Sequence, residues 1–306
     1  MRHRPCVPPA IVARRARVLR AALLGIVLGA IAGCSAVGLA YDNADWLVLR
    51  RVDRLVDLDP PQRERLAAAL AMRLDRHRRE ELPAVLAALD RLRGDAADGL
   101  TAAEIDNAHD AGRALYERTA RAVIGDVVPV LATLGPDQVD VLASELARSN
   151  GEYREEHLGA SSERAEARRD RWVGRLEDWV GDLDDAQLAL VDAALARIPD
   201  RAADWLAYRE AMGRRLLAAL REGASAQTLE AILVRWWVDV GEDGSDFAAR
   251  RESAIVGWKS LVASLDGTLD DAQRAHLLGR IDDYRRAVRG LMQSREPPSR
   301  PRERTG

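Results

Sequence analysis

Cysteine is nearly absent from this chain, and its placement excludes several kinds of chemistry. Cys6 and Cys34 are the only two cysteines among 306 residues, and both lie close to the N-terminus. The sequence after position 34 therefore offers no disulfide, zinc–thiolate site or cysteine nucleophile. The folded part of the chain must be stabilised by packing alone.

Phenylalanine, lysine and strand-like patterns are also scarce. Phe247 is the only phenylalanine and Lys259 the only lysine, whereas alanine, leucine, arginine, glutamate and aspartate dominate. No stretch alternates apolar and polar residues as a half-buried strand does. Glycine-rich phosphate loops and nucleophile elbows are absent as well, so we expect no catalytic residues and no cofactor. The sequence predicts an all-α fold.

The N-terminal segment has the pattern of an export signal. Residues 1–20 contain six arginines and no acid, and residues 21–33 form an uncharged apolar run. Ile31-Ala32-Gly33-Cys34 follows the pattern of a bacterial lipobox, in which small residues precede a cysteine that is acylated and becomes the first residue after cleavage. We therefore predict a signal peptide over 1–33, lipidation of Cys34 and a short tether over 34–42.

A transmembrane anchor is the alternative interpretation of the same segment. The uncharged run continues to Tyr41, which gives about the ~20 residues needed to span a bilayer. In both interpretations the arginine cluster stays in the cytoplasm and the rest of the chain lies outside the inner membrane. Ser35 stands where an aspartate typically retains lipoproteins in the inner membrane, so we expect an outer-membrane protein that faces the periplasm.

Removal of residues 1–33 would leave an acidic protein. The whole chain has 46 basic and 49 acidic residues, and the leader takes away six arginines, so the net charge becomes 40 − 49 = −9. A strongly acidic body argues against binding to nucleic acid, which usually requires a basic surface. The expected partners are the membrane, through the lipid on Cys34, and a protein or peptide. The oligomeric state stays open.

Apolar residues recur at alternating three- and four-residue steps, as on the buried stripe of a helix. The pattern predicts an elongated bundle of about ten amphipathic helices, with kinks near Pro83 and Pro129 because proline removes a backbone donor and crowds the preceding turn. The predicted helices are 43–57, 60–93, 102–133, 136–157, 163–181, 185–197, 200–222, 226–240, 245–265 and 271–293.

Several helices begin with one motif, in which Leu precedes an Asp, Thr or Gly cap position and a Gln or Glu follows three residues later. A cap side chain and a side chain three residues on can bond each other's backbone amides. These starts suggest decayed helical repeats, although good caps also recur in helical proteins that are not repeats. The motif occurs at 58–62, 100–104, 134–138, 183–187 and 269–273.

The predicted domain organisation is one all-helical periplasmic domain over 43–293. The segment 158–162, Leu-Gly-Ala-Ser-Ser, lies near its middle and is a candidate hinge. The final residues, 294–306, contain three prolines and four arginines without an apolar run, so they are expected to form a disordered tail.

Two family resemblances follow from these motifs. The helix starts resemble those of Spy-type periplasmic chaperones, but such cradles are basic and much shorter. The chain also resembles a family of uncharacterised proteobacterial envelope lipoproteins. The features that carry this resemblance are the lipobox, the segment Tyr41 to Leu47, the repeated helix starts and the segment His77-Arg78-Arg79-Glu80-Glu81-Leu82-Pro83. This second resemblance spans most of the chain and implies an all-α lipoprotein without a known activity.

His77 is the leading candidate for a functional polar cluster. It follows the apolar stripe of Leu66, Leu70 and Leu74, and Glu80 and Glu81 lie one turn further on. With Arg78, these side chains form either an anion or proton-transfer site beside Pro83 or a buried histidine–carboxylate pair that fixes helix packing. Metal sites are not expected, because His77, His109, His157 and His276 do not supply the pair of Glu-x-x-His motifs that a di-iron bundle needs.

Tryptophan is the remaining feature, with seven residues that mostly fall on helical stripes. Trp236 and Trp237 are adjacent and point about 100° apart on a helix, so one of them is a candidate for a partner or membrane surface.

The sequence favours a non-enzymatic, lipid-anchored module that binds a protein or peptide. A periplasmic chaperone or envelope-stress sensor is the alternative, and an enzyme centred on His77, Glu80 and Glu81 is the third hypothesis.

Overall fold

A computed structural model of the protein describes Tyr41, residues 43–241 and residues 245–293. The predicted signal peptide, Cys34 and the predicted tail lie outside these residues. Within them the chain is all-α, as predicted, and contains no strand. The helices are α1 Ala44–Val56, α2 Pro60–Arg76, α3 Leu82–Asp95, α4 Ala102–Leu131, α5 Pro136–His157, α6 Ser161–Val180, α7 Asp185–Leu195, α8 Ala202–Arg221, α9 Ala226–Trp237, α10 Asp246–Asp266 and α11 Asp271–Gln293.

The predicted helices match these elements to within about three residues at each end. The segment predicted as one helix over 60–93 is divided by a π-helical turn at His77–Glu81. Pro83 explains the position of this turn, because a proline cannot donate to the carbonyl four residues earlier and its ring crowds that carbonyl. By contrast, α4 passes Pro129 as a single α-helix and ends at Leu131.

The repeated helix starts form the predicted caps. The side chains of Asp59, Thr101 and Asp184 accept a bond from the backbone amide three residues on, and Gln62, Glu104 and Gln187 bond back. Position 135 is a glycine, so only the return bond exists there, which the Gly135 amide donates to the side-chain oxygen Oε1 of Gln138 at 3.0 Å. These bonds satisfy backbone donors that a helix start otherwise leaves open.

The cap glutamines also join two helix starts to each other, through what we call the glutamine bridge. The side-chain amides of Gln62 and Gln138 exchange two hydrogen bonds, at 3.1 and 2.7 Å. Gln62 also donates to the Thr133 carbonyl at 3.0 Å, and Gln138 donates to the Asp57 carbonyl at 2.9 Å. Four polar groups are thus satisfied where the starts of α2 and α5 meet.

A second glutamine bridge repeats this arrangement in the C-terminal half. Gln187 and Gln273 exchange two bonds of 2.8 Å. Gln187 donates to the Thr268 carbonyl and Gln273 to the Asp182 carbonyl, at 3.2 and 2.7 Å. Every partner in the first bridge therefore has a counterpart in the second.

The two bridges reveal an internal repeat. Gln62 and Gln187 are 187 − 62 = 125 residues apart, the starts at Thr101 and Ser225 are 225 − 101 = 124 apart, and Gln138 and Gln273 are 273 − 138 = 135 apart, so the second unit is about ten residues longer. The repeating unit therefore contains three helix starts, and it is larger than the single helical unit that the sequence suggested. Helices α1–α5 form the first half and α6–α11 the second. In this correspondence, the two helices α9 and α10 of the second half take the place of the single helix α4 of the first.

The halves interlock instead of folding side by side. Helix α3 of the first half packs on α11 of the second, and α8 of the second half packs on α5 of the first. The largest buried cluster joins α1, α2, α4 and α5 to α8 and α9, with Leu66, Ile124 and Leu233 fully buried. The second cluster surrounds Val191, Leu265 and Ile281 of α7, α10 and α11 but also includes Ala96 after α3.

None of the described helices is both long enough and apolar enough to cross a bilayer.

Candidate functional site

The structure places His77 at the first position of the π turn, where its side chain contacts Tyr41. Its Nδ1 lies 2.9 Å from the Tyr41 hydroxyl, which is also 3.4 Å from the Leu74 carbonyl. Tyr41, Leu82, Val288 and Leu291 form the third buried cluster around this contact. The histidine therefore fastens the chain just before α1 to the junction of α2, α3 and α11.

Glu81 is the carboxylate that the structure brings to His77. Its side chain is buried, and its Oε2 accepts a 2.6 Å bond from Thr119 and lies 3.8 Å from His77 Nε2. Burial lowers the pKa of His77, and the charge of Arg73 lowers it further, although Glu81 acts in the opposite direction. The imidazole is therefore held neutral at pH 7.

Arg78 and Glu80 are placed differently from this pair. The Arg78 guanidinium lies over the ring of Tyr41, 5.4 Å from its centroid. Glu80 is exposed and lies 3.9 Å from Arg76. Of the four predicted residues, the structure brings His77 and Glu81 together, places Arg78 on the Tyr41 ring that contacts His77, and leaves Glu80 on the surface. The geometry corresponds to the packing alternative for His77 more closely than to a ligand site.

A different site lies where α4, α8, α9 and α10 meet, and we call it the arginine–aromatic cleft. Its volume is about 220 Å³, and three aromatic side chains and two arginines form most of its wall. The lining residues are Arg113, Tyr116, Glu117, Trp205, Trp237, Val238, Val240 and Arg251.

The aromatic wall is held in place by its neighbours. The Tyr116 hydroxyl donates a 2.8 Å bond to the Trp237 carbonyl, which joins α4 to the end of α9. Trp205 stacks on Tyr208 at 5.8 Å between centroids, and Tyr208 stacks on Phe247 at 5.0 Å. These contacts fix the rings before any ligand arrives, and such rigidity lowers the entropic cost of binding.

The charges around the cleft are unevenly paired. Glu117 binds Arg113 at 2.6 Å, Asp204 binds Arg250 through two bonds of 2.7 Å, and Asp239 binds Arg121 at 3.0 Å. Each of these three acids is therefore held by an arginine other than Arg251.

Arg251 and the neighbouring Arg201 are the cations left over. Neither side chain makes a hydrogen bond or an ion pair within the described residues. Burial lowers the pKa of Arg201, and the charge of Arg251 lowers it further, so the two guanidinium groups repel each other. Arg201 nevertheless remains protonated, because the ordinary pKa of arginine is far above neutral. An anion placed here would relieve that repulsion.

Sequence reasoning missed this cleft. Trp205 falls on a helical apolar stripe, which predicts a place in the core, and Arg251 belongs to an ordinary arginine pair on α10. The doublet Trp236-Trp237 was the one usable signal, since it predicted that one tryptophan would reach a surface, and Trp237 lines the cleft. Within the described residues, no three Asp, Glu, His or Cys side chains form a group that could hold a metal ion.

The fold and the cleft define an all-α protein of two interlocked helical halves, with a cationic, aromatic cavity where four helices meet. The chain belongs to DUF6279, a family of unknown function, whose profile matches residues 54–236 and thus more than half of the sequence. This confirms the expected membership of an uncharacterised domain family. Comparison with curated proteins and with solved structures gives no significant match.

Proposed function

We propose that this protein is a non-enzymatic, lipid-anchored module of the bacterial envelope that binds a peptide segment of another protein through the arginine–aromatic cleft. The observation that carries the proposal is a preformed aromatic wall beside Arg251, a lining arginine that forms no ion pair within the described residues. Tryptophan, tyrosine and arginine are the side chains that dominate binding energy at protein interfaces.

The size and charge of the cleft indicate the ligand class. Its volume of about 220 Å³ is below the ~300–1,000 Å³ typical of sites for whole small molecules, so it suits one or two side chains of a peptide. A carboxylate would pair with Arg251, and an adjacent apolar side chain would pack against Trp205 and Trp237. We therefore propose a segment in which an Asp, a Glu or a C-terminal carboxylate stands beside an apolar residue.

The cleft chemistry supports a binding role more than a catalytic one. Glu117 is the only carboxylate in its lining, and Arg113 holds it in an ion pair. A general acid or base needs a proton that a substrate can reach, and the ion pair with Arg113 occupies the Glu117 carboxylate. The lining otherwise consists of arginine, tyrosine, tryptophan and valine.

Selection from a random peptide library tests the ligand class. The mature protein should enrich peptides with a carboxylate next to an apolar side chain, and Arg251→Gln should weaken their binding about 10- to 100-fold, because a charge-assisted hydrogen bond contributes about 1.5–3 kcal/mol. Arg215→Gln is the matched control, since Arg215 is an exposed arginine on α8 that does not line the cleft. Enrichment of basic peptides, or equal effects of the two variants, contradicts the proposal.

The location of the protein within the envelope is proposed from the sequence. The Arg-rich leader, the apolar run and Ile31-Ala32-Gly33-Cys34 support acylation of Cys34, and Ser35 supports the periplasmic face of the outer membrane. Labelling cells with a palmitate analogue should mark the wild type and leave Cys34→Ala unmarked. Equal labelling of both proteins would leave the uncleaved anchor as the better interpretation.

A further inference from the structure

Helix α1 presents an unusual outward face, which we call the α1 strip. Trp46 and Leu47 are exposed, at 47% and 41% of their surface, and Arg50 and Arg54 follow on the same side of the helix. The opposite side, with Val48, packs into the largest buried cluster. The strip is therefore a surface that the fold leaves uncovered.

The charges of the α1 strip are all positive. The guanidinium of Arg50 lies 5.1 Å from the ring centroid of Trp46, and neither Arg50 nor Arg54 forms an ion pair within the described residues. Asp53, on the same helix, is bound by Arg63 at 2.5 Å. A strip of tryptophan, leucine and arginine is the composition found where amphipathic helices lie at a membrane–water interface.

Helix α5 packs beside α1 and brings two acids near its arginines. Glu145 and Glu152 are bound by Arg148 at 2.5 and 2.6 Å, and the pKa of Glu145 is lowered chiefly by that bond and also by the charges of Arg51 and Arg54. Arg51 lies beside this group, and burial together with the charge of Arg148 lowers its pKa. Arg54 therefore interacts with Glu145 at longer range but forms no ion pair with it within the described residues, and neither does Arg50.

The position of α1 in the chain identifies what covers the strip. Trp46 follows Cys34 by only twelve residues, so even a fully extended chain places it within about 40 Å of the modified cysteine. Helix α1 is the first of the described helices, and Tyr41 just before it is fastened to His77. We propose that the α1 strip lies on the bilayer surface, with Trp46 and Leu47 among the lipid headgroups and Arg50 and Arg54 on acidic phospholipids. This inference rests on the proposed anchor.

Photo-crosslinking in reconstituted membranes tests this orientation. The protein extracted from cell membranes is placed in vesicles of phosphatidylethanolamine and phosphatidylglycerol, with a photoreactive residue at Leu47 or at Met72. Met72 is the control because it is a large apolar residue on α2 that is 69% exposed. We expect lipid adducts at position 47 and several-fold fewer at position 72.

Charge removal tests the contribution of the arginines. A cation near an acidic membrane surface contributes about 1 kcal/mol, so Arg50→Gln with Arg54→Gln should reduce the surface-docked population about 30-fold relative to the undocked one. Vesicles of phosphatidylcholine alone should have a similar effect on the wild type. Arg215→Gln, on α8, should change nothing.

Three outcomes overturn the proposal: equal lipid adducts at positions 47 and 72, no lipid adduct at 47, or adducts at 47 to a second copy of the chain. The acyl mass on Cys34 is read in the same digest, so failure of the anchor is seen separately. If the protein carries no acyl group, it is mixed with the same vesicles from solution. The yields of lipid adducts at positions 47 and 72 are then compared, and the difference measures membrane contact by α1 without the anchor.

Discussion

At the scale of single residues, glutamine has a central structural role in this protein. Gln187 is 1% exposed, yet its side-chain amide both donates to and accepts from Gln273, donates to the Thr268 carbonyl and accepts from the Asp184 amide. A buried polar group is tolerated when its bonds are complete, and these are. The caps could be predicted from the sequence, because the motif is local. The bridges could not, because Gln187 and Gln273 lie 86 residues apart.

Replacement of one bridge glutamine should therefore be costly. Gln187→Leu leaves the amide of Gln273 and the backbone of Thr268 and Asp184 short of partners, and we expect a loss of about 3 kcal/mol in the free energy of unfolding. Urea denaturation followed by circular dichroism measures it. Gln227→Leu, at an exposed position on α9, is the control and should change stability by less than about 0.5 kcal/mol. A similar small change for Gln187→Leu would show that the bridge is not stabilising.

His77 should make stability depend on pH. Its pKa is lowered in the folded protein from the ordinary value of 6.5, chiefly by burial, so the unfolded chain binds a proton at a higher pH than the folded one does. The contribution of neutral His77 is complete above pH 6.5 and is lost as the pH falls below it. His77→Gln should flatten the fall in unfolding free energy between pH 7 and pH 5. If both proteins lose stability in parallel over this range, His77 is not the titrating group.

At the scale of elements, stripes and caps predicted the helix boundaries well because both are short-range features. The π turn was not predicted as such, since Pro83 indicates a disturbance and the packing decides its form. Glu80 lies on the surface beside Arg76 and not with His77 for the same reason. The direction of each side chain around His77–Glu81 follows the wider turn and not the regular helical spacing.

Close packing between elements gives a matched pair of glycine variants. A Cβ at Gly257 on α10 would lie 2.6 Å from Cγ1 of Ile198, whereas one at Gly279 on α11 would meet nothing within 4 Å. Gly257→Ala should cost about 1–3 kcal/mol through overpacking. Gly279→Ala should gain about 0.5–1 kcal/mol through helix propensity. Thermal denaturation of both variants measures the difference, and effects of the same sign would contradict the packing of α10 on Ile198.

At the scale of the whole molecule, the exchange of helices between the halves determines cooperativity. Helix α3 needs α11, and α5 needs α8. Apolar stripes show which face of a helix is buried but not against which partner, so the interlocking could not be predicted from the sequence. The repeat was visible only as similar helix starts, and its true length emerged from the two glutamine bridges.

Separate halves should therefore not fold alone. We expect the segments 43–158 and 161–293, produced individually, to lose most of their helical circular dichroism and any sharp unfolding transition. The reason is that each segment alone exposes the helix faces that pack against the other half. Mixing them should restore both signals. An isolated half that unfolds cooperatively with full helicity would show that the halves are independent domains.

The arginine–aromatic cleft is the centre of the functional account, and crosslinking from it in living cells tests it most directly. A photoreactive residue replaces Tyr116, which lines the cleft and is 45% exposed. We expect a specific adduct with one or a few envelope proteins, which Arg251→Gln abolishes and Arg215→Gln preserves. An adduct that persists in Arg251→Gln, or one no more specific than that obtained from Met72, would contradict the account.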